Sequence, residues 1–212
     1  MPLDDLFVFI TYYFCALYLT ILETFMKFKA YFPLICLLII LCSFSNKKME
    51  VGSKIDSFNN VAIYYNGENF TNVIGRSVAE DGYNLGLKFQ CVEFVKRYYH
   101  KVHGHKMPNS FGHAKDFFDK SLGDRGFNKG RGLMQYRNVR EYKPKVEDIL
   151  VYDAYPGNRF GHVAIVSKVS DDEIELVQQN IGKRTRIKIP LVNFYQYWTV
   201  ADYNILGWLR KE

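Results

Sequence analysis

The sequence predicts an α+β fold, with its helices in the first half of the folded region and an antiparallel sheet in the second. The helical signal is Val92, Val95, Tyr98, Tyr99 and Val102, which recur at the spacing of one helix face. The sheet signal is a series of short apolar runs separated by turn residues from Leu133 onward, the order of elements expected of an α+β domain. The chain has 212 residues, of which 48% are hydrophobic and 17% aromatic, enough to fill a core and to exclude a disordered chain. Its net charge of +6 suits an anionic partner but does not select one, and a solvated basic face is the commoner explanation of such a charge.

The first 45 residues stand apart. Leu6 to Leu22 is an apolar run without charge, near the lower length limit of a membrane span. A second segment begins at Met26, where Lys27 and Lys29 precede an apolar core from Tyr31 to Cys42 and then Ser43-Phe44-Ser45. Read from Met26, this is the layout of a secretory signal peptide. The expected organisation is therefore a hydrophobic extension over 1–25 from an over-extended start, a signal peptide or anchor over 26–45, a linker over 46–60 and a catalytic domain over 61–212. A membrane hairpin, or lipidation at Cys42, are the alternatives. Each version exports the folded region to the periplasm or cell envelope, or tethers it at a membrane.

Three of the four cysteines, Cys15, Cys36 and Cys42, lie in these N-terminal segments. A chain cut after Ser45 keeps only Cys91, which then has no partner for an internal disulfide. Cys91 also opens the amphipathic helical run. There, unpaired backbone N–H groups and the helix dipole favour thiolate, the nucleophilic form. The competing reading is a small buried hydrophobe.

Val61 to Tyr65 reads as a strand closed by Asn66-Gly67, Gly75 to Asn84 as a loop and His113 to Phe118 as a second short helix. His113 is a possible base. The loop from Gly123 to Gly132 is rich in glycine and basic residues. Strands are expected at Leu133–Tyr136, Ile149–Tyr152, Gly161–Val166, Glu173–Asn180, Thr185–Ile189 and Ile205–Leu209. His100, His103 and His105 form a histidine cluster at the helix end. No cysteine or carboxylate of matching spacing accompanies it, so no metal is expected.

A cysteine nucleophile needs a base and a group that orients the base. His162 opens a strand, and the next strand brings Gln178 and Asn180 within cross-strand reach of it. Either amide is able to accept the imidazole N–H and fix the tautomer. Glu175 stands three residues from Gln178 and is expected on the opposite strand face. The backbone N–H of Cys91 and the Gln90 side chain are the candidate oxyanion donors. Tyr83, Asn84 and Lys88, just upstream of Cys91, are the candidate substrate-binding residues.

The segments FQCVEFVKRYY, GHVAIVSKV and ELVQQN together resemble the CHAP family of cysteine amidases and peptidases in the NlpC/P60-papain superfamily. The run from DGYNLGLKFQCVEFVKRYY through HKMPNSFGHAKDFFD is similar to the amidase domain of glutathionylspermidine synthetase/amidase, and the likeness extends over about residues 60–210 to the closing GWLR. The resemblance implies a papain-like fold, with helices carrying the cysteine packed on an antiparallel sheet carrying the histidine. It also implies Cys91 as nucleophile and His162 as base. Family members cut amide bonds, commonly in bacterial peptidoglycan, and the amidase relatives cut the amide joining glutathione to spermidine. One departure stands out: the family's glutamate, two residues before an asparagine matching Asn180, is Gln178 here.

The expected protein is thus an exported cysteine hydrolase acting on peptidoglycan as an endopeptidase or N-acetylmuramoyl-L-alanine amidase. It is expected to need no cofactor, to bind no nucleic acid and to be a monomer, with membrane contact through the N-terminal segment if that is uncleaved. A glutathionylspermidine-type amidase acting on a small amide conjugate, and an inactive wall-binding module, are the alternatives.

Overall fold

The computed structural model describes residues 17–29, 31–33 and 49–212. The chain divides into two compact units, Met1–Lys48 and Met49–Glu212. In the first, residues 17–29 and 31–33 are helical (α1), with the Thr24 hydroxyl bonded to Thr20 O at 2.8 Å. No helix among the described residues is long and apolar enough to cross a membrane. Most of the expected signal segment, including Cys42 and the Ser43-Phe44-Ser45 cut, lies outside the described residues, as do Cys15 and Cys36.

The second unit opens with two hairpins. β1 (Lys54–Phe58) pairs with β2 (Val61–Tyr64) across Asn59-Asn60, whose φ values of 44° and 61° are those of the tight hairpin turn that asparagine tolerates. The stretch expected as linker therefore ends in a paired strand. β3 (Arg76–Val78) pairs with β4 (Asn84–Leu87), so the expected loop from Gly75 to Asn84 contains one strand and leads into another.

Next comes α2 (Cys91–His103), closed by Gly104 in the left-handed conformation at φ 59°. Phe94, Val95, Tyr98 and Tyr99 form its buried face. The expected second helix is a single 3-10 turn, Ala114–Phe117. Two strand pairs thus precede the cysteine-bearing helix, and of the two helices expected in this unit one is a 3-10 turn.

The remaining strands, β5 (Gly126–Asn128), β6 (Leu133–Arg137), β7 (Ile149–Tyr152), β8 (His162–Val169), β9 (Glu173–Val177), β10 (Arg186–Phe194), β11 (Tyr197–Val200) and β12 (Ile205–Arg210), form one sheet. Its order is β11-β10-β9-β8-β7-β12-β6-β5, and every pairing is antiparallel.

Side-chain alternation gives the sheet two buried faces. Val163, Ile165 and Val177 join the α2 face and Leu209 in one core, while Ala164, Val166, Leu176 and Trp208 fill the other. The consequence for function is positional: α2 lies across β8, and its first residue is a cysteine.

Candidate active site

Cys91 is the first residue of α2 and is 7% exposed. Gln90, in extended backbone at φ −75° and ψ 161°, starts the helix by accepting the first helical bond from Phe94 N at 3.2 Å. The Cys91 sulfur faces three backbone N–H groups, those of Val163, Val92 and Cys91 itself. They favour thiolate, but burial outweighs them and pushes the thiol above its ordinary value.

His162 is the first residue of β8 and is also 7% exposed. Burial lowers its pKa to about 4 against the opposing pull of Gln178. Burial thus opposes charge on both groups, whereas the helix start alone predicts a thiolate.

His162 Nε2 lies 3.0 Å from Gln178 Oε1. Gln178 is itself held, its Nε2 donating to Arg184 O at 3.1 Å and its backbone N to Thr185 O at 2.8 Å. With the amide nitrogen engaged elsewhere, the oxygen must face the ring. Nε2 is then the protonated nitrogen, and Nδ1 carries the lone pair.

Gly161 fixes where the histidine begins. Its φ is +71°, and a Cβ there would stand 2.5 Å from Tyr152 O and 3.0 Å from Lys115 N. Only glycine allows this close approach, which lets Lys115 N reach Phe160 O at 3.0 Å and ties the 3-10 turn to the mouth of β8.

Asn180 does not touch His162. It follows β9 in left-handed backbone at φ 73° and turns its side chain toward α2. There Nδ2 donates to Gln90 Oε1 at 2.7 Å and to Phe70 O at 2.8 Å, and Oδ1 accepts from Asn66 Nδ2 at 2.7 Å. The left-handed residue breaks the strand alternation that would have kept Asn180 beside Gln178.

Gln90 is likewise corrected as an oxyanion donor. Both of its amide hydrogens are used on backbone carbonyls, Phe70 O at 3.1 Å and Asn72 O at 2.8 Å. The Cys91 backbone N–H, at the start of the helix, keeps its position.

Cys91 and His162 line one cavity of about 450 Å³. Tyr83, Asn84 and Lys88 do not line it. The Tyr83 hydroxyl accepts from Met107 N at 2.9 Å, and Asn84 bonds Arg76 and Ser110 O behind the wall. Lys88 is exposed and its backbone N bonds Gly75 O. The wall is made instead by Arg76, Leu87, Phe111, His113, Phe160 and neighbouring residues. Sequence proximity to Cys91 marks Gly86, Leu87, Gln90 and Val92 among the lining residues; the rest arrive from elsewhere along the chain.

Glu175 bonds the Ser167 hydroxyl at 2.8 Å and Arg186 Nη1 at 2.9 Å, away from His162. The histidine cluster is dispersed: His100 bonds Asp81 at 2.9 Å, His105 bonds Arg131 O at 2.8 Å, and His103 lies 3.5 Å from Glu147. Among the described residues, no group of three or more His, Cys, Asp or Glu is arranged to hold a metal ion.

A second buried network fixes the α2 start to the end of β9. Glu93 pairs with Arg97 Nε at 2.6 Å, and Gln179 Nε2 bonds Glu93 Oε2 at 3.0 Å and Gln90 O at 3.1 Å. Gln178, Gln179 and Asn180 thus divide the work: one holds the histidine, one the helix and one the side chain of Gln90.

Trypanothione synthetase of Crithidia fasciculata is 28% identical over 133 residues, 60% of this chain and 20% of its own length. Glutathionylspermidine synthase of the same organism is 33% identical over 101 residues, 46% of this chain and 14% of its own length. The chain therefore spans a small part of these relatives. A solved structure, that of Ly7917, matches 57% of this chain and 52% of its own at 19% identity and a TM-score of 0.35. Residues 80–180 match the family model of the CHAP domain. The matched stretch, where the chain is similar to the CHAP family, holds Cys91, His162, Gln178 and Asn180.

Proposed function

We propose that this chain is a cysteine amidase or peptidase that hydrolyses an amide bond through an acyl-enzyme on Cys91. The observation that carries the reading is that Cys91 and His162 line one cavity, with His162 Nε2 held by Gln178 at 3.0 Å. His162 Nδ1 takes the thiol proton as sulfur attacks the carbonyl carbon. The resulting oxyanion lies against the Cys91 N–H at the helix start. The imidazolium then protonates the departing amine, leaving a thioester. Water, activated by the same nitrogen, releases the acid and restores the thiol.

Because burial holds both groups neutral, the proton moves with the attack rather than before it. Gln178 orients the ring but supplies no negative charge to the imidazolium. Asn180 acts through Gln90 as a positioning residue.

The substrate we propose is peptidoglycan, cut in its stem peptide or at the muramoyl-L-alanine bond, by a domain exported or tethered through residues 26–45. The second reading is an amidase of a glutathionylspermidine-like conjugate, favoured by the identity with the two Crithidia proteins. Full-length chain and its Cys91→Ala variant, each incubated with purified peptidoglycan and with glutathionylspermidine, decide between them. Fragments released by the wild type alone, identified by mass spectrometry, name the bond. Release of equal fragments by Cys91→Ala would overturn the assignment.

A further inference from the structure

The cavity around Cys91 is electrostatically one-sided. Among the described residues, its wall contains no aspartate or glutamate, but it does contain Arg76 and His113. Arg76 is exposed and forms no ion pair among the described residues. One guanidinium nitrogen, Nη1, is bonded to Asn84 Oδ1 at 2.9 Å, and the Phe111 ring lies 6.0 Å from its central carbon. One edge of the fork is thus fixed, and the remaining donors are left for a ligand.

Two further cations stand behind this wall. Lys96, at 0% exposure, bonds the carbonyls of Asn84 and Ser110 and lies 4.8 Å from the centre of the Tyr83 ring. Arg131, at 1% exposure, bonds Asn109 O at 2.7 Å, Phe111 O at 3.3 Å and Asp116 O at 3.0 Å. The carboxylate facing Arg131 is that of Asp116, which lies outside the cavity wall and caps His113 N at 2.8 Å. Burial first, then Arg131 and Arg76, lower Lys96 to about 8, with no carboxylate opposing them. The loop from Ser110 to His113 is therefore held by two buried cations, and the cavity that it walls has a positive potential with nothing of opposite sign inside it.

We propose that Arg76 is the specificity-determining residue of this cavity, and that it takes a carboxylate of a peptide amide substrate. The proposal rests on the reading of Cys91 as the reacting thiol. It narrows the substrate class to acyl-peptides bearing a free carboxylate near the scissile bond, and rejects neutral and cationic peptides there.

A pair of small alkylating agents tests it without a known substrate. Iodoacetate and iodoacetamide differ in charge and little in size, and peptide-resolved mass spectrometry reads their rates at Cys91 alone. Relative to the same ratio for free glutathione, iodoacetate is expected to be favoured at Cys91 by about tenfold or more, a preference that high salt suppresses. Arg76→Gln is expected to remove the preference, read as the ratio of the two rates within each protein. A ratio equal to that of free glutathione, or one that Arg76→Gln does not alter, would overturn the proposal.

If Cys91 reacts with neither reagent, as a buried neutral thiol would, the anion site is judged by binding alone. Calorimetry on the Cys91→Ala chain then compares S-methylglutathione with its dimethyl ester. Weaker binding of the ester by about tenfold, abolished by Arg76→Gln, supports the site; equal binding of the two overturns it.

Discussion

His162 is held by an amide and not by a carboxylate: its Nε2 lies 3.0 Å from Gln178 Oε1, and the Gln178 amide nitrogen is committed to Arg184 O at 3.1 Å. The contact fixes the tautomer and favours the charged ring through a neutral hydrogen bond, without the full negative charge of a carboxylate. This relationship sets the first prediction.

Gln178→Glu places a negative charge against His162 and favours the imidazolium, so the His162 pKa rises from about 4. The acid limb of the kcat/KM profile is expected to move to higher pH, and the plateau rate to increase about tenfold or more, since charge stabilisation by an orienting acid is worth up to about 10⁴ in the serine-protease triad. Gln178→Ala is expected to lower kcat by about a hundredfold. A pH–rate series on the three proteins checks both.

Asn180→Ala separates positioning from base orientation. The change removes the bonds to Gln90 Oε1 and Phe70 O, and leaves Asn66 Nδ2 only its bond to Asn72 O at 3.1 Å. It is expected to cost about 1–3 kcal/mol of stability and to lower kcat, while leaving the acid limb of the pH profile in place. Urea melts and the pH profile measured together distinguish it from a change at Gln178.

The buried imidazole also ties stability to pH. His162 titrates at about 4 when folded and near the ordinary 6.5 when unfolded, so between these values the unfolded chain binds the extra proton. Stability from this group is full above pH 6.5 and is lost as pH falls toward 4, at a slope of at most about 1.4 kcal/mol per pH unit. His162→Gln is expected to flatten the dependence of the urea midpoint on pH across that window. An unchanged slope would show that other groups carry it.

Gly161→Ala tests the geometry at the mouth of β8. The added Cβ meets Tyr152 O at 2.5 Å in a backbone conformation that L side chains avoid. A loss of more than about 2 kcal/mol is expected, with activity lost through displacement of His162. Thermal melts report the first effect and the Cys91 alkylation rate the second.

How much of this was legible in the sequence follows from which forces act locally. The spacing of Val95, Tyr98 and Tyr99 announces α2, because a helix face buried against a sheet must repeat at that period. The β8–β9 hairpin is legible in two apolar runs around Asp171-Asp172, and with it the nearness of Gln178 to His162. β1 is not legible: KIDSF carries little apolar alternation, and it becomes a strand only by pairing with β2. The cavity wall is hidden for a similar reason. Phe111, His113 and Phe160 sit in polar, glycine-rich loops whose sequence does not reveal that Lys96, Arg131 and Gly161 draw them to Cys91. Gln90 and Asn180 lie where the motif places them, yet each serves the other rather than the reacting groups, because one left-handed residue ended the strand alternation.

The central claim, that Cys91 carries the acyl group and His162 moves its proton, is tested most directly by acid-quenched turnover with whichever amide the wild type cleaves. Peptide mass spectrometry of the quenched protein is expected to find the acyl moiety as a thioester on Cys91. It is expected to be absent from Cys91→Ala, with hydrolysis by both Cys91→Ala and His162→Gln reduced by about a thousandfold or more. Hydrolysis by Cys91→Ala at the wild-type rate, with no adduct on either protein, would contradict the account.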